Sequence, residues 1–85
     1  MQVDISIRKG VYQFIQEMFL AGAGLESVQD DESFLENGII DSTGVMELVA
    51  FLEETYGITV EDEELVPENL DSIDNVVAYL ERKTA

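Results

Sequence analysis

The sequence predicts an all-α fold: a small bundle of three principal helices plus one short helix, with a long first loop. Three observations carry this. Apolar residues recur at three- and four-residue intervals in three separate stretches, the pattern of one buried helical face. Glycine or proline stands at the junctions, where helices stop and start. The one strand-like run, Ile58-Thr59-Val60, has no second strand to pair with and is read as an extended loop. Eighty-five residues make one domain, spanning 1–85.

Helix one is predicted from about Asp4 to Leu20, with Ile7, Val11, Phe14, Ile15 and Met18 on its core face. Gly10 inside it costs about 1 kcal/mol relative to alanine, and Gly22 and Gly24 supply the stop signal. The connection from Gly22 to Ile40 is long for a loop without function or anchors. Leu25, Val28, Phe34, Leu35, Ile39 and Ile40 are the candidate anchors, with a short helical turn near Asp31–Leu35. Helix two is predicted from Ser42 to Tyr56 and ends at Gly57 as a left-handed cap. Val45, Val49, Leu52 and Tyr56 form its core face, Met46 and Leu48 its flanks, and Glu47, Glu53 and Glu54 point away. Pro67 suits the first position of a short helix reaching Leu70. Asp71 or Ser72 then caps a last helix to about Lys83, whose core face is Ile73, Val76, Val77 and Leu80. Arg82 and Lys83 in its final turn complement the helix dipole.

Composition removes most chemistry. Nineteen acidic and four basic residues give a net charge of −15, and no positive side chain occurs from Gly10 to Glu81. Nucleic acid and anionic membranes are repelled by such a field, whereas basic patches on partner proteins are attracted, with fast, salt-sensitive association. The chain lacks cysteine, so it has no disulfide framework and no thiolate ligand or nucleophile. No basic leader precedes an apolar run at Met1-Gln2-Val3-Asp4, and no apolar stretch approaches a membrane span. A cytoplasmic monomer is expected.

Gly38-Ile39-Ile40-Asp41-Ser42 is the most informative stretch. Asp41 or Ser42 caps the free amides at the mouth of helix two, and the same helix end favours a negatively charged group. A serine there is well placed to carry a covalently attached phosphodiester. It is not a hydrolase nucleophile: there is no histidine, the only lysines are Lys9 and Lys83, and Ile40-Asp41-Ser42-Thr43-Gly44 lacks the first glycine of a nucleophile elbow. Gly22-Ala23-Gly24 matches no dinucleotide or nucleoside-triphosphate pattern. The acidic runs Asp30-Asp31-Glu32 and Glu61-Asp62-Glu63-Glu64 lack calcium-loop spacing. They are read as a solvated face with weak divalent affinity, so neither a catalytic residue nor a dedicated metal site is expected.

The run Phe34-Leu35-Glu36-Asn37-Gly38-Ile39-Ile40-Asp41-Ser42 continues into Met46-Glu47-Leu48-Val49 and Leu52-Glu53-Glu54, and the tail carries Pro67-Glu68-Asn69-Leu70-Asp71-Ser72-Ile73. With these motifs nearly the whole chain resembles the acyl carrier protein family. The resemblance implies a four-helix fold and a 4′-phosphopantetheine arm on Ser42, with Gly38, Asp41 and Thr43 around the attachment site. A separate phosphopantetheinyl transferase installs the arm from coenzyme A with Mg²⁺, and the terminal thiol carries an acyl or aminoacyl group as a thioester. A loading ligase and downstream acyl-processing enzymes with basic docking patches are the implied partners, meeting Thr43, Met46, Glu47, Ala50, Glu53 and Glu54.

Three positions depart from the family pattern. Thr43 stands where fatty-acid carriers usually have leucine or methionine, Gly44 where a polar residue is common, and Ala50 where a larger apolar residue is common. These departures suggest a specialised carrier, of an unusual acyl group or of an amino acid as in D-alanyl, aminoacyl and peptidyl-type carriers, rather than housekeeping fatty-acid synthesis. Phe14, Phe51 and Tyr56 are read as ordinary core packing, the alternative being that they limit the volume open to a long chain. A different class of function, an acidic adaptor or metal buffer without an arm, is disfavoured by the Asp41-Ser42 pair.

Overall fold

A computed structural model describes residues 2–84 of the chain; the single-domain expectation also includes residues 1 and 85, which lie outside them. Among the described residues all regular structure is helical. Helix α1 spans Gln2–Ile15 and runs on into a π turn, Gln16–Leu20. Helix α2 spans Ser42–Tyr56, α3 Pro67–Leu70 and α4 Ile73–Thr84, with a 3-10 turn at Asp62–Glu64 before α3.

The π turn changes the face predicted for helix one. Ile7, Val11 and Ile15 are buried as expected, but Met18 is 51% exposed, and Phe19 and Leu20 take the core positions instead. A π turn holds more residues than an α turn, so the chain below Ile15 rotates and turns Met18 outward. Gly24, not Gly22, then takes the left-handed conformation, with φ +74°. The Leu25 amide donates to the Leu20 carbonyl at 2.9 Å and the Gly24 amide to Ala21 at 3.2 Å. That is the paired C-terminal stop in which a glycine supplies the positive φ.

The long first loop is anchored by fewer side chains than the sequence predicts. Val28, Phe34, Ile39 and Ile40 are buried, whereas Leu25 and Leu35 are exposed. No helix forms at 31–35; a hydrogen-bonded turn over 33–38 replaces it, closed by the Ile39 amide on the Phe34 carbonyl at 2.8 Å. The loop is tied to the α3–α4 junction by Asp71. Its carboxylate accepts from the Ser33 hydroxyl and from the Leu35 amide, and its carbonyl accepts from the Phe34 amide at 2.8 Å. Asp71 is thereby committed to the loop, and Ser72 caps α4, its Oγ accepting from the Asn75 amide at 3.1 Å.

Helix α2 has the predicted bounds, and Gly57 closes it at φ +68° with its amide on the Glu53 carbonyl. Its core face is rotated from expectation: Leu48 is fully buried at the centre beside Val49 and Leu52, while Val45 and Tyr56 are only half-buried. The segment Ile58–Val60 is an extended loop without strand structure, as expected. The predicted α4 face is buried throughout, and Tyr79, which the periodicity left out, joins it at 1% exposure. Its hydroxyl explains the burial: it donates to Glu64 at 2.9 Å, so the ring enters the core with its polar end satisfied. Helix α1 packs on α4, and α3 on the start of α4. Phe14 and Phe51 stack at 4.1 Å between centroids and edge onto Phe19 and Tyr56. Both phenylalanines are half-buried, so the stack lines the rim of the core rather than its centre.

Candidate functional site

The site is the junction of the first loop and α2. Gly38 has φ +68°, a conformation an L side chain resists, and it closes the turn from which Ile39 and Ile40 plunge into the core. Those two anchors fix where Asp41 emerges. Asp41 is extended, and its Oδ1 accepts from the Gly44 amide at 2.7 Å while its carbonyl accepts from Val45 at 3.0 Å. Asp41 is therefore the N-cap, and Ser42 is the first helical residue with its side chain exposed. The amides of Ser42 and Thr43 are left without an intrahelical acceptor and face the helix mouth, where the dipole favours an anion. A phosphodiester on the Ser42 hydroxyl fits this arrangement.

Gly44 is the residue whose role the sequence did not disclose. It is buried, and a Cβ there would meet Phe19 Cε1 at 2.9 Å and Ile40 Cγ2 at 3.1 Å. The π turn thus seats Phe19 directly on the first turn of α2. The one available signal was glycine inside the first turn of a helix, which marks a close approach when propensity argues against it.

The predicted partner face is partly assembled. Thr43, Met46, Glu47, Ala50 and Glu54 are exposed along one side of α2, and Met46 is 57% exposed. Glu53 is set apart: it is half-buried, and its Oε2 accepts from the Val60 amide at 2.9 Å, which fastens the following loop to α2. Among the described residues ion pairs join Arg8 to Asp30 and Asp74, and Lys83 to Glu64, and none of these involves an acid of α2. An apolar cleft opens on the α3 side of Ser42, between Ile40, Val45, Leu65 and Leu70.

Just before α3, Glu64 gathers the 3-10 turn onto α4. Its carboxylate accepts from the Glu61 amide, from Lys83 Nζ and from the Tyr79 hydroxyl. Those bonds, the backbone amide foremost, lower its pKa to about 2. Burial, and then the Glu64 carboxylate, raise the Tyr79 phenol above its ordinary value. Among the described residues no group of histidine, cysteine or carboxylate side chains is arranged to hold a metal, and no helix is long and apolar enough to cross a membrane.

The family model for the phosphopantetheine attachment site matches residues 13–80. An acyl carrier protein of Akkermansia muciniphila is 38% identical over 79 residues, covering 93% of this chain and 94% of its own. One from an Exiguobacterium species is 39% identical over 62 residues, 73% of this chain and 76% of its own. Another from Kocuria rhizophila is 32% identical over 79 residues, 93% of each. The chain belongs to the acyl carrier protein family: it holds 4′-phosphopantetheine covalently and serves partner enzymes as a carrier, not as an enzyme in its own right.

Proposed function

We propose that residues 1–85 form one cytoplasmic carrier unit in which Ser42 is the attachment point of the arm. The observation that carries this reading is the exposed Ser42 hydroxyl at the mouth of α2, with Asp41 as the cap. In the loading step Ser42 Oγ bonds to the phosphorus of the pantetheine phosphate of coenzyme A. The pyrophosphate link breaks, the adenosine bisphosphate half leaves, and the hydroxyl proton passes to a base on a phosphopantetheinyl transferase. The sequence contains no histidine to act as that base. The arm, once attached, supplies a thiol that carries the cargo as a thioester. The chain's own contribution is positional. Asp41 holds the first turn, Ile39 and Ile40 fix the loop, and the amides of Ser42 and Thr43 face the phosphodiester.

The exposed side of α2, from Thr43 through Met46, Glu47 and Ala50 to Glu54, is the proposed docking face for basic partner patches, with Glu53 at its edge. Thr43, Gly44 and Ala50 favour a specialised acyl or aminoacyl carrier over a housekeeping fatty-acid carrier. Its partners are then a loading ligase and acyl-processing enzymes of lipid or polyketide type.

Intact mass after incubation with coenzyme A, Mg²⁺ and a permissive transferase tests the reading. A gain of one phosphopantetheine unit, absent in Ser42→Ala with an unchanged helical circular-dichroism spectrum, is expected. An unmodified but folded wild type would sink it. Further mass on the thiol of protein from its native host identifies the cargo.

A further inference from the structure

Two hollows flank Ser42, and they differ in size and chemistry. The apolar cleft against α3 has a volume of about 120 Å³. Its one charged lining residue is Asp71, whose carboxylate already accepts from the Ser33 hydroxyl and the Leu35 amide. A second groove, of about 380 Å³, runs along the end of α1. Met18 and Ala23 stand on one wall, Thr43 and Glu47 on the other. The π turn shapes this groove by seating Phe19 against Gly44 and leaving Met18 in solvent at 51% exposure. Gly22 and Gly38 line it without adding side chains to fill it. Among the described residues the Thr43 hydroxyl and the Glu47 carboxylate make no hydrogen bond or ion pair with the rest of the chain. The groove therefore joins an apolar wall to a wall of free hydrogen-bond acceptors.

The pantetheine part of the arm is uncharged and mixed in character: a gem-dimethyl carbon, a hydroxyl, two amides and a thiol. Burying an amide without a hydrogen-bond partner is unfavourable. The cleft offers those amides no free side-chain acceptor, and it is smaller than the roughly 300–1,000 Å³ of small-molecule sites. The groove falls inside that range and supplies both kinds of contact. We infer that the groove at the end of α1 is the seat of the unloaded arm on its own carrier. Met18 and Ala23 lie against the gem-dimethyl group, a contact suited to a flexible, polarizable methionine. Thr43 Oγ1 and the Glu47 carboxylate accept from the hydroxyl and the amides. The arm is tethered beside the groove, since Asp41 and Thr43 on either side of Ser42 both line it. A short flexible tether gives an effective concentration of about millimolar order, so weak contacts are enough to seat it. A partner enzyme that needs the thiol must then draw the arm out of the groove. The inference rests on Ser42 being the attachment residue.

The test compares amide and methyl NMR spectra of the full chain before and after the arm is attached, with intact mass and peptide mapping to place the arm. Shift differences are expected at Met18, Gly22, Ala23 and Glu47 as well as at residues 41–44, with cross-relaxation between the gem-dimethyl protons and the Met18 methyl. Gly22→Leu fills the groove, and a Cβ at Gly22 meets only the Phe19 carbonyl oxygen, at an ordinary 3.8 Å. Met18→Ala, at an exposed position, removes part of the apolar wall instead. Each variant is compared with its own arm-free form, and circular dichroism establishes that it is folded. In both, the differences at Ala23 and Glu47 should fall to about half or less of the wild-type values, while Leu35→Ser, in the apolar cleft, leaves them unchanged. Wild-type differences confined to residues 41–44 would mean an arm free in solvent, and differences at Leu65, Val66 and Leu70 an arm in the cleft; either overturns the inference. So would undiminished differences in both groove variants. No arm on the wild type, or an arm on another residue, would strike the Ser42 reading itself and this inference with it.

Discussion

Gly44 shows how one absent Cβ shapes the site. Alanine there gains about 1 kcal/mol of helix propensity but places a methyl 2.9 Å from the Phe19 ring. Overpacking a filled position costs about 1–3 kcal/mol, and Phe19 is hemmed in by Phe14. Gly44→Ala is therefore expected to destabilise by about 1 kcal/mol net in urea unfolding. The loss should shrink when Phe19 is also cut to leucine, a coupling that a double-mutant cycle measures. Glu64 gives a pH-dependent counterpart. Its folded pKa of about 2 lies below the ordinary value of 4.5, so the stability it contributes is complete above pH 4.5 and is lost as pH falls toward 2. Glu64→Gln should lower the melting temperature at neutral pH, and the difference from wild type should close across that acid window. A constant difference down to pH 2 would contradict the assignment.

Among the elements, the first loop matters most, because its end places Asp41 and Ser42. It is held by a clasp rather than by its own secondary structure. Phe34 sits in the core at 1% exposure, and Asp71 binds the backbone at two successive amides, those of Phe34 and Leu35. Asp71→Ala removes the carboxylate partner of Ser33 and Leu35 but leaves the carbonyl bond to Phe34. Local opening of the loop should become easier while the helices stay closed. Amide exchange should accelerate at Leu35 and Ile39 and stay slow at Val77 and Leu80. Uniform acceleration would mean global destabilisation instead. The π turn plays the matching part in α1, since it carries Phe19 under the first turn of α2.

Charge governs the behaviour of the molecule as a whole. A net −15 on a chain this small opposes its own compact state by self-repulsion. Two of the four cations act as ties: Arg8 joins α1 to the loop and to α4, and Lys83 joins α4 to the 3-10 turn. Among the described residues the exposed acids of α2 have no ion-pair partner, which leaves them to the basic partner patches proposed above. Added salt or Mg²⁺ should raise the melting temperature by screening that repulsion, and an unchanged melting temperature across the titration would contradict it. The same field should make association with basic partners fast and steeply salt-dependent. Reversing Glu47 and Glu54 to lysine should slow docking far more than it perturbs folding, read by transfer kinetics beside circular dichroism.

Residue order alone was enough to specify the helix count, the bounds of α2 and α3, the cap at Gly57, and a serine behind an aspartate at a helix mouth. Each of these is written in neighbouring residues, through periodicity, capping chemistry or the fixed φ of proline. Packing in three dimensions selected which loop residues reach the core, put Leu48 rather than Tyr56 at the centre of the α2 face, turned Met18 outward, and made Gly44 the space for Phe19. Ser33 and Asp71 lie 38 residues apart, and no local pattern announces such a pair. Local signals fix the conformation of a segment; which side it buries depends on the shape of the surface it meets, and here a single widened turn in α1 was enough to change it.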